Sequence, residues 1–201
     1  MERIHSSSAK AKKSQRRQIK AQRRAIHPFK RMRASHCAAN ILCSSLLLRR
    51  AKRIGSYLDV QGEFPTATIN DVLIKRGKAL YFPSIHDFRN GGMHFVQWTK
   101  SSRLKVNKFN IPEIFPDTPT PFSNELDLVL LPLLGFDVSG NRLGMGGGFY
   151  DRYLTSYSTR KRPFALGVAY NIQRLGQIKA EQWDYPLDAI LTESGIQHFR
   201  R

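Results

Sequence analysis

The sequence predicts an α/β fold, with a mostly parallel sheet covered by helices on both faces and a basic helix at the N-terminus. Three observations carry that expectation. Strand-like and helix-like runs alternate from residue 54 onward. The stretch Asp127–Leu131 is apolar after its first residue, as a buried strand is. Residues Ala9–Ile26 are rich in Lys, Arg, Gln and Ala and contain no Gly or Pro.

Residues 1–9 are polar and Ser-rich and are expected to be disordered, leaving 10–201 as a single domain. The first helix covers about Ala9–Ile26, with Ile19 and Ile26 seven apart on one face, and ends at His27 and Pro28. A second helix is expected over Ser35–Lys52, its inward face formed by Cys37, Ile41, Leu42, Ser45 and Leu48. Ile54–Val60 reads as a strand. Thr66–Arg76 reads as a helix, with Ile69, Val72 and Leu73 inward and Gly77 as its stop. Lys78–Pro83 and His94–Trp98 read as strands. Residues 99–121 hold four prolines and no clear period, so an irregular crossover is expected there. Gly135–Gly148 reads as a loop, Tyr150–Tyr157 as a helix, and Phe164–Ala169 and Ala189–Leu191 as strands.

The composition narrows the class. The chain has 201 residues, 41% of them hydrophobic, enough to bury one core. Its longest apolar run, Leu126–Leu134, falls short of the ~20 residues that span a bilayer. No apolar leader opens it, so a soluble, cytoplasmic protein is expected. Cys37 and Cys43 are six apart, roughly 600° round a helix, and make neither a metal knuckle nor a redox pair. The net charge is +18, and its placement is uneven. Residues 1–53 hold 16 of the 33 Lys and Arg and a single acid, Glu2, while the remainder is nearly balanced. Such an arm must meet anions, whether nucleic acid, an acidic membrane face or small phosphorylated molecules.

The strongest local feature is GNRLGMGGGFYDR at 140–152, between the best strand and a helix. Ligands of open α/β sheets bind where strands end and helices begin. Gly144, Gly146, Gly147 and Gly148 let backbone N–H groups approach phosphate oxygens. Arg142 and Arg152 add charge at the two ends, and Asp151 offers a hard oxygen for Mg²⁺. No Lys follows these glycines, so this is not a Walker A loop, and the dinucleotide spacing fails at Phe149. The residues alone leave a phosphate cradle and an unliganded turn both open. Arg16, Lys20 and Arg24 share one face of the basic helix, which serves equally as a phosphate clamp or a solvated face. Glu63 follows the first strand, where a carboxylate can bond a heterocycle, and Asp188 precedes the last. Taken singly, both are ordinary loop acids.

Together these pieces resemble the 5-formyltetrahydrofolate cyclo-ligase family. The resemblance rests on Lys12–Arg24, on YLDVQGE at 57–63 with RGK at 76–78 and YFP at 81–83, on LDLVLLP at 126–132 with GFD at 135–137 and NRLGMGGGFYDR at 141–152, and on Trp183–Ala189. It implies a three-layer α/β/α sandwich. It also implies ATP-dependent conversion of 5-formyltetrahydrofolate to 5,10-methenyltetrahydrofolate, with ADP and phosphate released. ATP would be held by Lys12, Lys13, Arg16, Lys20 and the stretch Arg142, Leu143, Gly144, Met145, Gly146, Gly147, Gly148, Phe149 and Tyr150. The folate, monoglutamyl or polyglutamylated, would meet Arg16, Leu58, Glu63 and the backbone of Met145–Phe149. Mg²⁺ would sit on Asp151 and Asp188. Catalytic duty falls on Arg142, Tyr150 and Arg152, since phosphoryl transfer is mostly positioning and charge stabilisation. Some relatives carry Arg at position 145 and Lys at 147, cations that this chain lacks. A monomer is expected.

Other readings weigh less. A nucleic-acid module would use the basic arm, but no RRM, KH or zinc motif follows it. An Arg- and Ser-rich transit segment fits residues 1–35, yet overlaps the nucleotide helix. Isomerases and CoA transferases share sheets of this type without the glycine loop.

Overall fold

The computed structural model describes residues 2–60, 62–87, 92–107, 111–115, 125–157 and 162–200. In chain order the elements are α1 (Glu2–Arg24), α2 (Pro28–Ser44), α3 (Leu46–Arg50), β1 (Arg53–Gly55), α4 (Ala67–Lys75), β2 (Ala79–Asp87), β3 (Gly92–Gln97), β4 (Arg103–Val106), β5 (Pro112–Phe115), β6 (Leu128–Pro132), β7 (Gly135–Phe136), β8 (Arg142–Leu143), α5 (Phe149–Thr155), β9 (Phe164–Val168), β10 (Ala189–Thr192) and β11 (Gly195–His198).

Seven strands form one sheet in the order β11-β10-β9-β6-β1-β2-β3. The five inner strands run parallel, and β3 and β11 are antiparallel edges. Alternate residues of β6 feed opposite cores. Leu128 and Leu130 pack with α2 and α4 residues such as Ala38, Leu42, Ile69 and Leu73. Val129 and Leu131 pack with Tyr153 and Leu154 of α5. Three layers result, and the unbroken apolar run of β6 is what burial on both faces demands.

β1 and β6 are parallel neighbours, but the direction in which the sheet is wound reverses between them. From β1 the chain crosses through α4 to β2, and from β6 through α5 to β9, on the other side and over the other face. The segments leaving these adjacent strands therefore diverge and open a crevice between them.

Several elements differ from the sequence expectation. Helix α1 begins at Glu2, inside the segment expected to be disordered; residues 2–9 contain no Gly or Pro to stop it. Pro28 starts α2 rather than merely ending α1, with His27 Nδ1 capping Phe29 N–H, because proline suits a first helical position. Ser45 then interrupts the expected second helix and caps α3 through Leu48 N–H at 3.3 Å. The expected crossover holds a hairpin, β4 with β5, whose first strand is exposed throughout and so carries no alternation. The loop 135–148 holds a second small hairpin, β7 with β8.

Helix α1 lies outside the sheet and docks through Ile19, which is buried with Leu134, Leu143 and Ile178. Gly135 makes room for it: a Cβ there would meet Ile19 Cδ1 at 3.1 Å and Leu175 Cδ1 at 2.6 Å. One turn on, Arg23 is buried and donates to Leu133 O at 3.3 Å.

Candidate active site

A cavity of about 660 Å³ opens at the crevice between β1 and β6. Tyr57, Leu58, Val60 and Glu63 from the segment after β1 form one wall. Gly144–Arg152 forms the opposite wall, and Lys12 and Arg16 of α1 reach in from above. The β4–β5 hairpin contributes Pro112 and Glu113, and the 181–184 turn contributes Glu181, Trp183 and Asp184.

The glycine loop is held by two arginines, one from α1 and one from α5. Arg16 Nε donates to Gly144 O at 2.9 Å, and Arg152 Nη2 donates to Gly147 O at 2.5 Å. Gly148 caps α5 with φ +65°, and a Cβ there would lie 2.9 Å from Arg152 Nη1. Gly146 has φ +105°, a backbone that side chains resist. Behind the loop, buried Arg142 pairs with Asp151 Oδ1 at 2.5 Å, and the same oxygen accepts Tyr185 N–H at 2.9 Å. Arg142 Nε is buried and has no hydrogen-bond partner among the described residues.

Asp137 fixes the base of the β7–β8 hairpin. It is buried and accepts from Ser139 N, Asn141 N, Asn141 Nδ2 and Ile178 N at 2.9–3.0 Å. Asp137→Ala would strand these donors, at a cost of about 3 kcal/mol. Calorimetry should then show Tm lowered by roughly 6–12 °C.

At the other end, Glu63 is buried and accepts Val60 N–H at 3.1 Å. Desolvation raises its pKa above the usual carboxylate range, against the pull of that N–H and of Arg23. Tyr150 stands near both Glu63 and Arg142; burial pushes its phenol far up, so it serves as a donor and not as a base.

The cavity gathers most of the expected residues: Lys12, Arg16, Leu58, Glu63, Arg142, Gly144 to Gly148, Phe149, Tyr150, Asp151 and Arg152. Four lie elsewhere. Lys13 is exposed, since one step along a helix turns a side chain by roughly 100°. Lys20 does not line the cavity, standing roughly 12 Å along α1 from Lys12. Leu143 is buried against Ile19, a packing residue. Asp188 is held by Arg162 at 2.7 and 2.9 Å and by Ala165 N–H at 2.8 Å, so a place on the metal requires release of Arg162. Lining residues with no motif to betray them include Glu113, Met93 and Ile85.

The model of the 5-formyltetrahydrofolate cyclo-ligase family matches residues 8–193. The chain belongs to that family. The cyclo-ligase of Escherichia coli strain K12 is 33% identical over 180 residues, covering 89% of this chain and 98% of the relative. The mouse cyclo-ligase is 29% identical over 195 residues, covering 91% and 94%. Among solved structures, the 5,10-methenyltetrahydrofolate synthetase of Aquifex aeolicus superposes with a TM-score of 0.79 at 26% identity, covering 94% of this chain and 93% of that one. The matched range of the cyclo-ligase family takes in α1 from residue 8, the glycine loop and the 181–184 turn, so every wall of the cavity is family territory.

Proposed function

We propose that this cavity converts 5-formyltetrahydrofolate and ATP to 5,10-methenyltetrahydrofolate, ADP and phosphate. The observation that carries it is one crevice with two chemically distinct ends. A desolvated carboxylate, Glu63, sits at one end, Lys12 stands toward the other, and Arg16, Arg142 and the glycine loop line the stretch between. The carboxylate accepts hydrogen bonds from the N–H edge of the pterin. The glycine N–H groups and the guanidiniums take the triphosphate.

The chemistry needs no protein nucleophile. The formyl oxygen attacks the γ-phosphorus, ADP departs, and N10 closes on the activated carbon as phosphate leaves. Arg142 and Arg152 neutralise the charge that gathers on the transferred group. Tyr150, held protonated, donates a hydrogen bond and accepts no proton.

Asp151 fits a divalent ion. Its Oδ1 is occupied by Arg142 and Tyr185 N–H, while Oδ2 accepts no hydrogen bond among the described residues. No cluster of three His, Cys, Asp or Glu among those residues forms a protein-only cage, so the ion would be held by Asp151 together with the nucleotide, as is usual for Mg²⁺. Bound there with the nucleotide, Mg²⁺ supplies charge neutralisation.

The test is spectroscopic. Purified protein given 5-formyltetrahydrofolate, ATP and Mg²⁺ should develop the methenyl-folate absorbance with one ADP per turnover. Absorbance that grows equally without ATP, or not at all, rules the reading out.

A further inference from the structure

Trp183 is among the most exposed large apolar side chains of the described residues, at 69%. It nevertheless stands on a rigid piece of backbone. Asp184 N–H closes a turn onto Glu181 O at 3.0 Å, and Glu181 N–H donates to Asp184 Oδ2 at 2.9 Å. Both acids pair with Lys12 Nζ, at 3.1 and 3.6 Å. The next residue, Tyr185, is pinned through its N–H to Asp151 Oδ1 at 2.9 Å. The indole is thus presented at the tip of a turn bolted to two phosphate-facing elements, α1 and the start of α5. It lines the cavity rather than the outer surface alone. An aromatic ring held rigid yet uncovered is arranged for a flat partner, because stacking loses little entropy when one face is already fixed.

The two ends of the cavity decide which flat partner. Glu63 lies by the C-terminal end of α1: Arg23 acts on its charge, and Arg31 Nη2 donates to its backbone oxygen at 3.0 Å. Trp183 lies by Lys12, eleven positions earlier in the same helix, which is roughly 16 Å away along its axis. A pterin on Glu63 therefore cannot also cover Trp183. The triphosphate lies between the two ends, on the glycine loop, and its base extends beyond it.

We propose that Trp183 is the platform on which the adenine of ATP stacks, making it a determinant of nucleotide affinity. This rests on the ligase reading above. Glu181 and Asp184 hold Lys12, and through Lys12 the indole keeps register with the phosphates. Nothing in the stacking reads purine hydrogen-bond edges, so the platform favours purine over pyrimidine nucleotides by area alone.

Trp183→Ser tests this, with Trp183→Phe as the conservative partner; neither removes a buried group. Trp183→Ser should raise KM for ATP by about ten-fold, the scale of one lost base stack. KM for 5-formyltetrahydrofolate and kcat should stay unchanged, and Trp183→Phe should recover most of the loss. Fluorescence gives a second readout, because the other indole, Trp98, is packed against the core. ATP should quench wild-type emission, inorganic tripolyphosphate should not, and Trp183→Ser should abolish the response. An unchanged KM for ATP, an effect on the folate KM instead, or equal quenching by tripolyphosphate overturns the proposal while leaving the ligase reading intact. Wild-type protein that fails to bind ATP at all overturns both.

Discussion

Asp151→Ala should lower kcat by roughly 100- to 1,000-fold at saturating ATP, the scale on which a single fixed electrostatic contact to a transition state is lost. Three consequences converge on this one side chain. On the proposed Mg²⁺ role, the ion would lose its protein carboxylate. Arg142, buried and already short of one partner at Nε, loses its counter-ion and its aim. The 181–185 segment loses the acceptor for Tyr185 N–H. Asp151→Asn separates these effects. It keeps an acceptor for Tyr185 and Arg142 but lowers the charge offered to Mg²⁺. A steeply raised Mg²⁺ requirement in Asp151→Asn supports the ligand role. Turnover and Mg²⁺ dependence like those of the wild type would reduce Asp151 to scaffolding.

Glu63→Gln should weaken 5-formyltetrahydrofolate binding and raise thermal stability at once. A charge-assisted bond to the pterin is lost, which should raise the folate KM roughly 10- to 100-fold. Stability moves the other way for a reason of sign. Burial raises the carboxyl in the folded protein above its usual 4.5. Between that value and the raised one, the native state holds a proton that the unfolded chain has released. Stability therefore falls as pH rises through this window, and above it the ionised, desolvated Glu63 is a burden. Gln keeps the acceptor for Val60 N–H without the charge. Its Tm should exceed that of the wild type at pH 7, with the gap closing in acid. Folate affinity of the wild type should fall over the same window as the carboxylate takes up its proton, and that of Glu63→Gln should be flat with pH. A variant that is less stable at pH 7, or that binds folate unchanged, removes Glu63 from the site.

How much of this was legible in the sequence depended on what each residue signals locally. The run at 127–131 announced a strand buried on both faces, and the glycines at 144–148 announced close backbone approach. Both are short-range signals: the strand stands in the structure as β6, and of the glycines Gly146 and Gly148 adopt positive φ. The β4–β5 hairpin gave none, because its first strand faces solvent on both sides and prolines interrupt its surroundings. Glu113 reaches the cavity only through the fold of that hairpin, which no spacing reveals. Asp188 is ambiguous for another reason. An acid before a closing strand suits a metal or an arginine equally well, and the choice lies with Arg162, 26 positions away. Lys13 and Lys20 share the charge pattern of Lys12 and Arg16, and only the docking of Ile19 settles which cations turn inward.

That docking has a consequence for how the chain comes into being. Lys12 meets Glu181 across 169 positions, and Ile19 packs on Leu134, Leu143 and Ile178. Helix α1 therefore leaves the ribosome well before its partners and waits on the order of ten seconds for them to be translated. Throughout that interval a strongly cationic segment with few apolar residues stands without its acidic counterweight. A nascent chain stalled before residue 181 holds the glycine bend but lacks the acids that position Lys12.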